Sequence, residues 1–492
     1  MPLLSLLTFL PLLGALIILA MPKEKTKTIQ TVGLLVSGLS LLVSVVVLFG
    51  YDKNLAGMQY MEDFLWIGNL NVHYLLGIDG LSLPLVVLTT LLTFLALIAS
   101  MGINHRVKEY WFWFLVLEVG MLGVFEALDF FLFYVFWELT LVPMYFLIGV
   151  WGGPKKEYAA TKFFLYTLFG SVFMLLAIIA LYFGSEPHTF NMLELTAGRD
   201  QLLKLGMTFQ WLVFIGFYLG FAIKIPLFPF HTWLPLAHVE APTAVSVILA
   251  GVLLKMGGYG LLRVNFPMFP EVTKIFIYPL VIIAFINIVY GALVAMAQKD
   301  MKRMVAYSSV NHMGYVVLGM CSLSAAGFNG AVLQMVNHGI ITGALFLLVG
   351  VVYDRAHTRD IDAFGGLASK VPLYAGIMTL ASMASLGLPG LSGFISEFLC
   401  FLGAFPVWKV WTIMSVAGVL VTAAFFLRMI QKVFLGPLNE KWANLTDMTT
   451  RELCAVVPLC VLMVVLGLYP RLGLDIMNQT MTMLAVLVKG GT

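Results

Sequence analysis

Residues 129–150 read DFFLFYVFWELTLVPMYFLIGV. Apart from Asp129 at the start and Glu138 near the middle, no charge interrupts this run. It has the length that a helix needs to cross hydrocarbon, ~20 mostly apolar residues. A charged side chain at the middle of such a helix costs ~2.5–3.5 kcal/mol on insertion scales. The stretch therefore predicts a membrane-spanning helix and asks why a carboxyl is buried in it.

The rest of the chain repeats the pattern. Of 492 residues, 61% are hydrophobic and 11% charged, with a net charge of +3. A soluble domain runs to roughly 45–50% apolar and about 25% charged. A soluble globular protein, a disordered chain and a nucleic-acid binder are all excluded. Apolar runs predict helices near 3–21, 28–50, 78–101, 109–127, 129–150, 161–184, 207–235, 241–262, 271–297, 304–322, 328–351, 372–405, 409–434 and 452–470. The expected fold is an all-α polytopic membrane protein with about fourteen transmembrane helices. A stretch near 476–488 is expected as a short interfacial helix. The first run has the length of a signal peptide, but no charge precedes it and Lys23, Lys25 and Lys27 follow it, so it reads as a retained helix.

Loop charges orient these helices. Eighteen Lys and Arg fall in or beside connections on one side and eight on the other, alternating loop by loop, and only Lys224 and Lys255 lie deep inside spans. The positive-inside rule then predicts a multi-pass protein with both termini on the outer side. The four cysteines, Cys321, Cys400, Cys454 and Cys460, form no C-x-x-C pair and read as small buried apolar residues. No dinucleotide fingerprint, P-loop or H-E-x-x-H is present. No metal or nucleotide site is expected on this chain.

Five ionisable residues lie deep in apolar runs: Glu118, Glu138, Lys224, Lys255 and Glu397. His312 and His338 lie in neighbouring spans, with Gln334 and Asn337 close by. One buried Glu can simply pair with a buried Lys and tie two helices together. A set of carboxylates and amines with imidazoles between them instead suits a series of proton-exchanging sites. Glu118 is the weakest member.

Two spans are broken. In LGFAIKIPLFPFHTWLP, Pro226 and Pro229 follow Lys224, and each proline removes an amide donor and frees a carbonyl. In LASMASLGLPGLSGFISEF, Pro389 and Gly390 precede Glu397. Freed backbone inside a bilayer survives only against protein or a wet cavity. The first break is fourth in the set of spans four to eight, and the second is fourth in spans nine to thirteen. Five is odd, so the second set enters the membrane inverted. Interrupted helices at matching positions of inverted repeats point to the ion site of a transporter. The expected units are 1–108, an N-terminal three-helix segment; 109–262, a first repeat; 271–434, a second and inverted repeat; and 435–492, a C-terminal helix and tail.

The stretches FWELTLVPMYFLIGVWGG, KIPLFPFHTWLPLAHVEAPTAVSVILAGVLLKMGGYGLLR, KRMVAYSSVNHMGY and LPGLSGFISEF resemble the antiporter-like subunits of respiratory NADH:quinone oxidoreductase. The similarity runs from Ile78-Asp79-Gly80-Leu81-Ser82 to the thirteenth span. Glu397, where the sister chains L and N carry Lys, and Arg355 to Ile361 are similar to a branch distinct from those two. The resemblance implies a proton-translocating subunit with Glu138 ion-paired to Lys224 and with Lys255 as a central lysine. It implies that His312 and His338 bridge toward Glu397, the outlet. His231 and His238 would sit at the interface near the cytoplasmic mouth as secondary candidates. It further implies a bacterial cytoplasmic (inner) membrane, FMN and iron–sulfur clusters on other subunits, none on this chain, and sister chains L and N, with the lateral helix of chain L, as partners. Competing expectations are the large subunit of a multi-chain sodium/proton antiporter or of a membrane-bound hydrogenase, and a passive assembly subunit.

Overall fold

Inside hydrocarbon, backbone N–H and C=O groups find partners only within their own segment, which restricts crossing elements here to helices. The computed structural model describes residues 2–490. Among them, eleven helices are long and apolar enough to cross a membrane. The chain is a multi-pass, essentially all-helical membrane protein. The last two residues of the expected 435–492 unit lie outside the described residues.

The helices run α1 Leu3–Ala20, α2 Thr26–Gly50, α3 Leu83–Ala99, α4 Val107–Glu126, α5 Phe130–Leu139, α6 Leu141–Trp151, α7 Lys156–Gly184, α8 Met207–Lys224, α9 Trp233–Glu240 and α10 Thr243–Met268. They continue with α11 Pro270–Met296, α12 Met301–Met320, α13 Ala325–Ala356, α14 Pro372–Ser385, α15 Ser392–Ala404, α16 Lys409–Phe434, α17 Thr450–Leu468 and α18 Arg471–Lys489. Side chains of Asp129, Asp300, Ser324 and Thr449 accept the first backbone donors of α5, α12, α13 and α17. Such caps stabilise a helix by about 1 kcal/mol each.

Four details depart from the expectations. The run at 129–150 is interrupted at Thr140, because Pro143 brings no N–H and its ring crowds the carbonyl of Leu139. Between α2 and α3 lies an antiparallel hairpin, β1 Gln59–Ile67 paired with β2 Val72–Ile78, in a segment to which the apolar runs assign no element. Its turn closes on Asn71 in the left-handed region at φ 51°, a conformation that asparagine tolerates. The helix expected near 476–488 is longer, α18, and turns Met477, Thr480, Met481, Leu484 and Val488 inward at helical spacing. Cys454 is exposed while the other three cysteines are buried, since it falls on the outward face of α17.

Burial ranks the helices. The apolar window of α10 is 100% buried and that of α13 94%, against 33% for α2, α16 and α17. The two innermost helices are the ones that carry Lys255 and His338.

Candidate functional site

Helix α10 changes its winding on both sides of its lysine. Leu249–Leu253 and Leu261–Asn265 are π-helical turns on either side of Leu254–Gly260. Such turns are rare and concentrate at functional sites. The glycines of this region let α8 approach closely: a Cβ on Gly257 would lie 2.5 Å from the carbonyl oxygen of Phe221. The Lys255 ammonium, fully buried, donates to the carbonyl of Ala250 at 2.5 Å and reaches His338 Nδ1 at 2.6 Å.

From Lys255 a line of titratable groups crosses the core. The rings of His338 on α13 and His312 on α12 have centroids 5.5 Å apart. His312 Nε2 stands 2.9 Å from the carbonyl of Ser385, the last residue of α14, and 3.6 Å from Glu397 Oε1 on α15. A carbonyl only accepts, so Nε2 carries a proton and the imidazole holds a free Nδ1. Alongside, Asn337 Nδ2 donates to the carbonyl of Ser392 at 2.7 Å and to Ser396 Oγ at 3.1 Å, and that hydroxyl donates to Gln334 Oε1 at 2.5 Å. Lys255, His338, His312 and Glu397 are thus brought into one buried series.

The other half differs. Lys224, the last residue of α8, is buried with no hydrogen-bond partner on Nζ, which lies 5.3 Å from the centroid of Trp137 and 5.8 Å from that of Phe163. Glu138 Oε1 is buried and also without a partner. Among the described residues, no N···O contact of 4.0 Å or less joins them, so the direct ion pair implied by the resemblance is not formed. Trp137, the residue before Glu138, places its ring against the ammonium instead. Glu118 is fully buried on α4, and neither of its oxygens has a partner.

His231 and His238 are buried within the chain. His231 stacks on Phe228 at 5.8 Å and meets the edge of Tyr290 at 5.4 Å. His238 lies flat against Phe346 at 4.6 Å, with both ring nitrogens unpartnered. The cause is α9, which resumes inside the core after the break and carries both flanks of the loop inward.

The two breaks are closed by different chemistry. At Ile225–Thr232, with Pro226 and Pro229, the side-chain amide of Asn287 on α11 accepts from the Phe228 N–H at 2.8 Å and donates to the Pro226 carbonyl at 3.2 Å. Between α14 and α15, around Pro389, Gly387 and Gly390 adopt φ +81° and +93°, which a Cβ would oppose. There the freed Ser385 carbonyl is met by His312, and Asn337 donates to the Ser392 carbonyl in the first turn of α15.

Sequence reasoning missed several buried polar residues. Asn287 is an unremarkable amide in an apolar run. Arg263 and Asp79 form a buried ion pair at 2.6 Å, although Arg263 falls among the loop charges when read from the sequence. Lys302, counted in the same way, is buried and donates to the carbonyl of Ala241 at 2.5 Å. It lines a cavity of about 570 Å³ together with Glu240, Asp354, Arg359 and Arg451. Glu126 is buried at the end of α4, where a helix boundary hides it. Hydropathy alone signals none of these, because each lies within a few residues of a loop or is uncharged.

Comparison with known proteins adds a family. Residues 127–425 match the family described as NADH:quinone oxidoreductase/Mrp antiporter, transmembrane. NADH-quinone oxidoreductase subunit M of Rhodobacter capsulatus is 45% identical, covering 97% of this chain and 95% of its own. Chain 4 of an NAD(P)H-quinone oxidoreductase from Synechococcus elongatus is 41% identical over 99% of this chain and 92% of its own. Among solved structures, respiratory complex I from Thermus thermophilus contains a chain that superposes with TM-score 0.89 at 31% identity over 100% of both chains. The Mrp complex of Dietzia matches with TM-score 0.86 at 20% identity, over 99% of this chain and 100% of that one, a likeness of fold.

Proposed function

The chain belongs to the NADH:quinone oxidoreductase/Mrp antiporter transmembrane family, and from that premise we propose that it is the proton-translocating subunit M of a complex I. In this reading it crosses the bacterial cytoplasmic membrane fourteen times with both termini outside. Residues 109–262 and 271–434 are the two inverted repeats, and the sister chains L and N and the lateral helix of chain L pack against its apolar flanks. Electron transfer takes place on other subunits, which carry the FMN and iron–sulfur clusters. This chain moves protons.

The observation that carries the reading is the buried series Lys255, His338, His312, Glu397. Each member can hold or release a proton, and adjacent members lie within reach of direct or water-bridged transfer. Lys224 supplies a switch beside it. An ammonium over a desolvated aromatic ring is held by about 2 kcal/mol. Moving that ammonium onto Glu138 would exchange the ring for a charge partner whose removal from a buried site costs about 3–5 kcal/mol. One elementary charge moved across 100 mV is worth ~2.3 kcal/mol. The energies match, so a swing of Lys224 between Trp137 and Glu138 can raise or lower its hold on a proton by the amount that gating against the membrane potential demands.

The test is Glu138→Gln in the assembled complex, with NADH-driven proton movement measured in sealed vesicles. The expected result is an intact complex with proton movement abolished or strongly cut. Normal proton movement overturns the assignment.

A further inference from the structure

The start of a helix leaves backbone donors that another group must take. At α7 the Glu240 carboxylate takes one, accepting from the Lys155 N–H at 2.9 Å. The innermost helix, α10, has no such partner. It follows Ala241-Pro242, no side chain caps it, and its first intrahelical bond runs from the Ser246 N–H to the Pro242 carbonyl at 2.9 Å. The N–H groups of Thr243 and Ala244 therefore have no acceptor among the described residues. Both residues line the cavity of about 570 Å³ that also holds Lys302. The dipole of a long helix places partial positive charge at this end.

Two side-chain cations face the same space. Lys302 is 5% exposed. Its ammonium has three donors, and only one is committed, to the Ala241 carbonyl at 2.5 Å. Among the described residues no carboxylate pairs with it. The acids nearby are engaged or turned outward. Asp300 stands 3.1 Å from Arg359 Nε, the Glu240 carboxylate is held at the start of α7, and Asp354 is exposed on α13. Arg451, exposed in the first turn of α17, lines the rim, and its guanidinium has no acceptor among the described residues.

A buried charge without a counter-charge is costly, so Lys302 calls for an anion. The donors fit one with several oxygens, since backbone N–H groups, an ammonium and a guanidinium border one cavity. Helix N-termini are ready-made phosphate sites, and Arg and Lys are the side chains that bind phosphate. The volume lies within the ~300–1,000 Å³ of small-molecule sites, which leaves room for whatever bears the phosphate.

We infer that this cavity binds a phosphate group, borne by free inorganic phosphate or by the headgroup of an anionic phospholipid, between the α10 N-terminus and Lys302 with Arg451 at the rim. The site is separate from the series Lys255, His338, His312 and Glu397, and it does not depend on the proton-translocating reading.

The test uses the complete complex in detergent, stripped of exchangeable lipid, as wild type, Lys302→Gln and Arg451→Gln. A glutamine amide still donates to the Ala241 carbonyl, so Lys302→Gln removes the charge and keeps the contact. A native gel checks that each variant is assembled. Two probes are measured: radiolabelled inorganic phosphate by equilibrium dialysis, and phosphatidylglycerol retained after incubation with vesicles of that lipid. Binding to Lys302→Gln is expected to weaken about tenfold, as when a charge-assisted hydrogen bond is lost. Arg451→Gln is expected to weaken it about threefold, the scale of an exposed charge. A loss confined to inorganic phosphate assigns the site to the free ion, and one confined to phosphatidylglycerol assigns it to the headgroup; either supports the site. Unchanged binding of both probes to Lys302→Gln overturns it. Should Lys302→Gln fail to assemble, Arg451→Gln decides: weaker binding of either probe supports the site, and unchanged binding of both overturns it.

Discussion

The two broken helices differ in what closes them. At the first break a neutral amide, Asn287, takes the freed Phe228 N–H and Pro226 carbonyl. At the second, the Ser385 carbonyl is taken by an imidazole, His312, that also stands 3.6 Å from Glu397. An amide keeps the same donors and acceptor whatever the local charge. An imidazole gains a donor and a charge when it binds a proton. The first break is therefore a fixed scaffold beside Lys224, and the second is closed by a group that gains a donor and a charge on protonation. Two breaks that look equivalent in sequence do different work.

That contrast can be broken most sharply at Glu397. Glu397→Ala removes the proton site facing His312 and is expected to abolish proton movement through the second half, measured as the proton-to-electron ratio of the reconstituted complex. Glu397→Lys keeps an exchangeable proton there and is expected to lose less. Equal losses would show that only the negative charge matters.

The scaffold half responds through stability instead. Asn287→Leu strands a buried N–H and a buried C=O, at about 1–3 kcal/mol each. Thermal unfolding of the complex should fall accordingly, while the ratio per assembled complex holds. A normal melting profile would show that the break needs no side-chain closure. A smaller effect is expected from Gly387→Ala. This change forces φ +81° on a residue with a Cβ, a strain of order 1–3 kcal/mol, and sets that Cβ 2.9 Å from Glu397 Oε2. Proton movement should drop partially, and an unchanged ratio would separate the break from Glu397. Least is expected from Glu118→Gln, since no partner holds either oxygen. A large loss there would enlist α4 in the pathway.

How much of this was legible in the sequence follows from the cost of charge in hydrocarbon. Glu138, Lys224, Lys255 and Glu397 announced themselves because nothing but function or pairing keeps a charge in an apolar run. The prolines and glycines announced both breaks for the same reason, since freed backbone needs an explanation. The absence of a direct ion pair between Glu138 and Lys224 was not legible, because the choice between a carboxylate and the ring of Trp137 is made by side-chain direction. The burial of His231 and His238 depends on where α9 resumes, a three-dimensional matter. Asn287 carries no charge to stand out, and Glu126, Arg263 and Lys302 lie where a helix end and a loop look alike. The hairpin was hidden because QYMEDFLWI alternates too weakly to separate it from a loop.

The central claim is that protons pass along Lys255, His338, His312 and Glu397. Its most direct test is Lys255→Ala in the reconstituted complex, with the proton-to-electron ratio measured during NADH oxidation. The expected result is an assembled complex whose ratio falls by this chain's whole share. An undiminished ratio would contradict it.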